Sequence, residues 1–232
     1  MINGKTVLAI IPARGGSKRL PQKNILPING KPLIVWSIEA TKNSKYIDSI
    51  FVSTDDENVA LIAEECGLNI PELRPAELAS DEASTEEMLL YTLNKFGRGY
   101  DIVILLQPTS PLRTFIDIDA AIDTFIQKKA FSVVSVTPCE HSPLWSNKLP
   151  ADCNMGSFIK QEALKRSQEL GEFYRLNGAI YIFDTKKLKE YGKIIYSESS
   201  FAFVMDNLNS IDIDTKLDFE IAEVLLKKLY EE

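Results

Sequence analysis

Four cations, Arg14, Lys18, Arg19 and Lys23, fall within ten residues around the adjacent Gly15 and Gly16. Neighbouring glycines let backbone N–H groups turn toward a ligand with no side chain in the way, and anions are the ligands that such groups take. No Asp or Glu occurs between Met1 and Ile38, although the whole chain carries a formal net charge of -7. An acidic chain whose opening stretch is purely cationic is suited to hold a strongly anionic ligand there. The competing reading is a solvated basic loop. The motifs GxxxxGK[ST] and GxGxxG are both absent, which argues against P-loop kinases and Rossmann dehydrogenases.

A second constellation lies near the other end, in the stretch 210–215, SIDIDT. Read as a strand, strict alternation puts Ile211 and Ile213 on one face and Asp212 and Asp214 on the other. Two carboxylates ~7 Å apart along one strand face suit a divalent cation. Mg2+ takes one or two protein carboxylates and completes its shell with phosphate oxygens and water. The alternative is an edge strand with a solvated face, in which Asp214 or Thr215 caps the last helix, 216–230. His141 is the only histidine; a Ser-His-Asp triad or a multi-histidine metal site would have to be built on it alone, which argues against both. Cys66, Cys139 and Cys153 show no metal-ligand spacing and point to a reduced, cytosolic setting.

The elements that must position these groups read as alternating strands and helices. The run 7–11 is a short buried strand that Pro12 stops. Asn29-Gly30 marks a turn and Pro32 suits the start of a helix. A second strand, 50–53, leads into Thr54-Asp55-Asp56, any of which could cap the helix that Gly67 ends. Ser84 and Glu87 have the spacing of a capping box for a helix running to about residue 96. The apolar run 102–106 suits the sheet centre and leads into the polar loop 107–113, QPTSPLR. A helix over 116–128, a strand over 132–136, a strand over 179–183 and an apolar extended run over 201–205 follow. This is the βαβ pattern of a parallel sheet. Ligands of such sheets sit beyond the carboxyl ends of the strands, which puts loop 107–113 on the same edge as the glycine loop. Periodicity fails over about 138–176, read as an insertion that covers the site, makes a dimer contact, or both.

The bulk properties agree with one domain spanning 1–232. Hydrophobic residues make up 45% and charged residues 25%, ordinary for a globular chain. The acidic balance argues against nucleic acid as partner. No apolar stretch reaches the ~18 residues of a membrane span, and the apolar start is too short for a signal-peptide core.

Five segments in register, ARGGSKRLPQKN, RPAELASDEAS, LLQPTSPLR, LNGAIYIF and SIDIDT, together resemble the CMP-sialic acid synthetase (acylneuraminate cytidylyltransferase) family. The resemblance runs nearly the whole length. It implies an α/β, Rossmann-like nucleotidyltransferase with a mostly parallel central sheet flanked by helices, plus a protruding dimerisation insertion. It also implies Mg2+-dependent transfer of CMP from CTP to the anomeric hydroxyl of a nonulosonic acid, with release of pyrophosphate, by a cytoplasmic homodimer. Carried over by position, Arg14, Lys18 and Lys23 would contact the triphosphate. Asn24, Arg74, Ala83 and Thr85 would surround the cytosine and ribose. Gln107, Arg166, Arg175 and Tyr181 would lie at the sugar acid, and Asp212 and Asp214 would hold the metal. Arg14, Lys23 and Asp214 would bear most of the catalysis, because two anionic reactants must be brought together and their charge offset.

Trp145 stands where sialic-acid-activating relatives often place a lysine, and 192–196, GKIIY, lacks the aromatic pair that some of them show. Both departures fall in the expected sugar pocket. The acceptor is therefore N-acetylneuraminate, a bacterial analogue such as legionaminate, or the eight-carbon acid KDO. A nucleotide-binding homologue without catalysis, and a nucleotidyltransferase using UTP or GTP with a neutral sugar phosphate, are the competing classes.

Overall fold

The computed structural model describes residues 1–230. Its centre is a six-stranded sheet whose strands run, edge to edge, as β4 (Ser49–Ser53), β1 (Val7–Pro12), β5 (Ile102–Leu106), β7 (Tyr174–Asp184), β6 (Ser132–Pro138) and β8 (Ser200–Val204). Strand β1 (Val7–Pro12) pairs in parallel with β4 (Ser49–Ser53) on one side and β5 (Ile102–Leu106) on the other. Between β1 and β4 the chain makes a tight hairpin, β2 (Pro27–Ile28) and β3 (Lys31–Pro32). Asn29 and Gly30, both at positive φ, turn it, as expected for the left-handed two-residue turn that Asn-Gly favours. Helix α1 (Leu33–Asn43) follows, with Pro32 at its N-cap.

Helix α2 (Glu57–Glu65) links β4 toward α3 (Thr85–Lys95), and α4 (Phe115–Gln127) links β5 to β6 (Ser132–Pro138). Strand β5 is buried along its whole length, which accounts for its unbroken apolar sequence. One apolar cluster packs α1, α2 and α4 against one face of the sheet, and a second, around Leu89, Leu93 and Phe183, packs α3 and α5 (Thr185–Tyr191) on the other. The chain ends in β8 (Ser200–Val204), parallel to β6, and α6 (Lys216–Tyr230).

Three expectations need correction. The strand expected at 179–183 is longer. As β7 (Tyr174–Asp184) it runs antiparallel to both β5 and β6, the one reversed strand of the sheet. It is reversed because it returns from β6 through the segment 139–173, whose base closes where Cys139 N–H donates to the Phe173 carbonyl at 2.8 Å. Residues 174–176, read as insertion, are thus paired strand; the rest is irregular, with three short 3-10 turns. Finally, 210–215 is not a strand. A 3-10 turn at Leu208–Ser210 leads into an extended stretch with no ladder partner among the described residues. Ile213 N–H instead donates to the Thr109 carbonyl at 2.9 Å. The alternation was real: Ile213 is fully buried and Ile211 half-buried against Ile28, Leu33, Trp36 and Leu226. A two-residue period marks any extended segment with one buried face, laddered or not.

Candidate active site

A cleft of about 540 Å3 opens beyond the carboxyl ends of β1 and β5. Its walls come from the glycine loop after β1, the loop 74–85 before α3, the start of loop 107–113, and Asp214. Arg14, Lys18, Lys23, Asn24, Arg74, Ala83, Thr85 and Gln107 all line it.

The glycine loop is fixed by acidic groups at the end of β4. Gly15 N–H donates to Asp55 Oδ1 at 3.0 Å. Asp56 caps α2 by accepting from the N–H groups of Asn58 and Val59. A Cβ on residue 15 would stand 2.6 Å from Asp56 Oδ2, whereas one on Gly16 would face open space. Gly15 is therefore demanded by close packing on Asp56, and its N–H serves the loop rather than a ligand, contrary to the expectation that both glycines present their N–H groups. Asn24 is buried under the loop; its Nδ2 donates to the Arg14 carbonyl at 2.9 Å, while its Oδ1 has no hydrogen-bond partner among the described residues.

Arg74 is anchored to the end of β4. Its Nε donates to Ser53 Oγ at 3.0 Å, and a second guanidinium nitrogen donates to the Ser53 carbonyl. Burial lowers its pKa to about 10, with Asp55 opposing that shift and Arg14 adding to it. Thr85 begins α3, and Ser84 before it closes the expected capping box with Glu87.

The two constellations at opposite ends of the sequence meet at this cleft. Lys23 Nζ donates to the Ile213 carbonyl at 2.6 Å and to Asp214 Oδ1 at 3.1 Å. Arg19 reaches Asp214 Oδ2 at 3.1 Å. Asp212 is turned inward, and burial raises its pKa; a hydrogen bond from Thr109 opposes the shift and Asp214 reinforces it. Its Oδ1 is buried without a hydrogen-bond partner among the described residues. A buried, unpaired carboxylate oxygen is costly and calls for a cation or a donor. Among the described residues no group of three or more His, Cys, Asp or Glu could hold a metal. A pair of carboxylates is nevertheless the donor set suited to Mg2+, whose remaining ligands are phosphate and water.

The residues expected at the sugar divide. Gln107 lines the cleft. Gly178, at φ +76°, leaves a gap toward which Gln107 Oε1 and Asp212 Oδ2 both point; a Cβ there would lie 3.6 and 3.8 Å from them. Tyr181 is half-buried on β7, and burial, with Tyr196 and Asp212 nearby, raises its pKa. Arg175 pairs with Glu140 at 3.0 Å, and Arg166 is exposed ahead of a 3-10 turn. Neither arginine lines the cleft.

Sequence reasoning missed two residues here. Asp81 lines the cleft and pairs with Arg14 at 3.1 Å and with Lys18. Arg113 is fully buried; its guanidinium donates to the carbonyls of Gln107 and Ala179, each at 3.0 Å, and to Ser37 Oγ at 2.8 Å. Burial lowers its pKa to about 10. It ties loop 107–113 to β7 and α1. The one available signal was an arginine closing an otherwise uncharged polar loop.

A mostly parallel sheet with a cation-lined cleft at its carboxyl edge defines an α/β protein whose ligand site, where such sheets take their ligands, is built for an anion. Comparison with known proteins narrows the class. The family described as cytidylyltransferase matches residues 8–228. The chain is 37% identical to a CMP-N,N'-diacetyllegionaminic acid synthase of Legionella pneumophila over 228 residues, 95% of this chain and 96% of that one. It is 36% identical to an N-acylneuraminate cytidylyltransferase of Escherichia coli over 96% of this chain and 52% of that one. Its fold matches a CMP:2-keto-3-deoxy-manno-octonic acid synthetase solved with CTP, with a TM-score of 0.72 at 19% identity, over 97% of this chain and 99% of that one. The chain belongs to the cytidylyltransferase family and is a nucleotidyltransferase.

Proposed function

We propose that the protein transfers CMP from CTP to the anomeric hydroxyl of a nonulosonic acid and releases pyrophosphate. The two relatives 36–37% identical to this chain, an N-acylneuraminate cytidylyltransferase and a CMP-N,N'-diacetyllegionaminic acid synthase, support this over the KDO reading. The observation that carries it is the junction of Lys23 and Arg19 with Asp214 at one cleft. A cationic loop and a carboxylate pair brought together in this way suit the handling of a metal-bound polyphosphate.

In this reading Arg14, Lys18 and Lys23 bind the triphosphate, and their charge offsets that developing on the phosphates as pyrophosphate leaves. Asn24, Arg74, Ala83 and Thr85 enclose the cytidine. Asp212 and Asp214 hold Mg2+, which when bound polarises the phosphoryl group and lowers the pKa of a nearby hydroxyl. Asp212, whose buried Oδ1 has no hydrogen-bond partner among the described residues, supplies the inner carboxylate of that pair. Gln107 and Tyr181 orient the acceptor from the β5 and β7 side. Catalysis is then positioning plus charge neutralisation, consistent with a chain that has one exposed histidine.

Segment 139–173 exposes Leu149, Met155 and Leu164, an apolar set suited to a homodimer contact. The same segment carries Arg166, which reaches an acceptor only once that segment is placed over a cleft. Cys66, Cys139 and Cys153 are free thiols, which supports a cytoplasmic setting. No helix among the described residues is long and apolar enough to cross a membrane.

The acceptor is tested by assaying pyrophosphate release with CTP and a panel of N-acetylneuraminate, N,N'-diacetyllegionaminate and KDO. Turnover with one of the two nine-carbon acids, well above that with KDO, is expected. A preference for KDO would overturn the assignment.

A further inference from the structure

The cations assigned to the triphosphate are already engaged. Arg14 pairs with Asp81 at 3.1 Å and donates to the Ser80 carbonyl at 3.2 Å, and Lys18 pairs with the other oxygen of the same carboxylate. Asp81 sits in the loop 74–85, not in the glycine loop, so these contacts latch one wall of the cleft to the other. The latch is well placed to yield. The Asp81 side chain is 43% exposed and that of Lys18 is 80% exposed, so neither is held by packing. Ser80, its neighbour, is held in place by its own turn: its hydroxyl donates to the Glu77 carbonyl and accepts from Ala83 N–H. The carboxylate therefore has a fixed base and a movable end.

We propose that Asp81 is an internal competitor for the outer phosphates. Its carboxylate occupies Arg14 and Lys18 in the free protein, is displaced by a ligand that brings a pyrophosphoryl group to both cations, and returns to them when pyrophosphate leaves. This rests on the reading that Arg14 and Lys18 bind the triphosphate. One carboxylate spans two cations here, and so does a pyrophosphoryl group, whereas a single phosphate brings fewer anionic oxygens to the pair. Asp81 then weakens CTP and pyrophosphate selectively, leaves CMP less affected, and hastens product release.

Calorimetric titration of CTP, pyrophosphate and CMP into the wild-type protein, Asp81→Asn and Arg14→Ala, at one fixed ionic strength, tests both statements. Asp81→Asn is expected to tighten CTP and pyrophosphate roughly three- to ten-fold, the range of one or two exposed ion pairs, and CMP by less. Arg14→Ala is expected to weaken CTP and pyrophosphate. If Arg14→Ala weakens them and Asp81→Asn leaves them unchanged or weaker, the competitor role is overturned and the triphosphate reading stands. Equal tightening of CMP and CTP in Asp81→Asn also overturns it, as a general effect of lost negative charge. Unchanged binding in Arg14→Ala overturns the triphosphate reading and the competitor role with it. Matching melting curves for the exposed-site variant Asp81→Asn guard against a folding artefact.

Discussion

Gly15 shows how much one residue fixes here. Its missing side chain lets the loop lie against Asp56, and its N–H is spent on Asp55. Gly15→Ala is expected to cost about 1–3 kcal/mol, the range for overpacking, and to raise the KM for CTP by shifting Arg14; a melting curve and CTP kinetics read both. Asp214→Asn removes the group on which Lys23 and Arg19 converge. It is expected to lower kcat on the order of 100- to 1,000-fold, as losing one electrostatic group does, with the melting temperature little changed because Asp214 is exposed. Near-full activity in Mg2+ would remove Asp214 from the metal. The cations and carboxylates could be read from the sequence because residue type and clustering carry that chemistry. The pairing of Asp81 could not, since nothing local links RPAELASDEAS to Lys18. Arg113 was hidden for a similar reason: its acceptors are backbone carbonyls of Gln107 and Ala179, which no side-chain pattern announces.

Elements followed local rules closely where the rules are local. The Ser84–Glu87 box starts α3, and Thr114 and Asp117 form a second one at α4. Ser84→Ala is expected to destabilise the protein by about 1 kcal/mol, the usual value of a lost N-cap. Glu87 adds a pH signature. Hydrogen bonds from the Ser84 backbone and then its hydroxyl lower the Glu87 pKa. A carboxylate with a lowered folded pKa contributes stability that is present above its unfolded pKa and lost as pH falls through the folded one. The stability difference between wild type and Glu87→Gln should therefore be full at neutral pH and fade in acid, below about pH 4.3; a difference that persists unchanged in acid would contradict the capping role. Segment 210–215 and strand β7 were harder to read for a shared reason. Period two reports a buried face, and whether a ladder forms beside it, or in which direction, depends on partners distant in sequence. Asn29-Gly30, by contrast, makes the turn its own residues require.

At the scale of the molecule, the sheet order β4-β1-β5-β7-β6-β8 does what neither end of the chain could do alone. It carries Arg14, Lys18, Arg19 and Lys23 to the same cleft as Asp214, joined across 191 positions by the Lys23–Asp214 pair. The βαβ rhythm made β1, β4 and β5 legible; the reversed β7, wedged between β5 and β6, arises from the excursion 139–173, whose sequence has no period to read. If that excursion forms the dimer contact, Leu164→Glu, at a side chain 68% exposed in one chain, should shift the protein from dimer to monomer in light scattering. A wild-type monomer would contradict the dimer.

The most direct measurement is pyrophosphate release from CTP, UTP, GTP and ATP in turn, each with and without a nonulosonic acid and each with and without Mg2+. Release confined to CTP with both acid and Mg2+ present is predicted. Tight CTP binding without turnover, or turnover with another nucleotide and a neutral sugar phosphate, would contradict the view that the two charged patches act on one cytidine triphosphate.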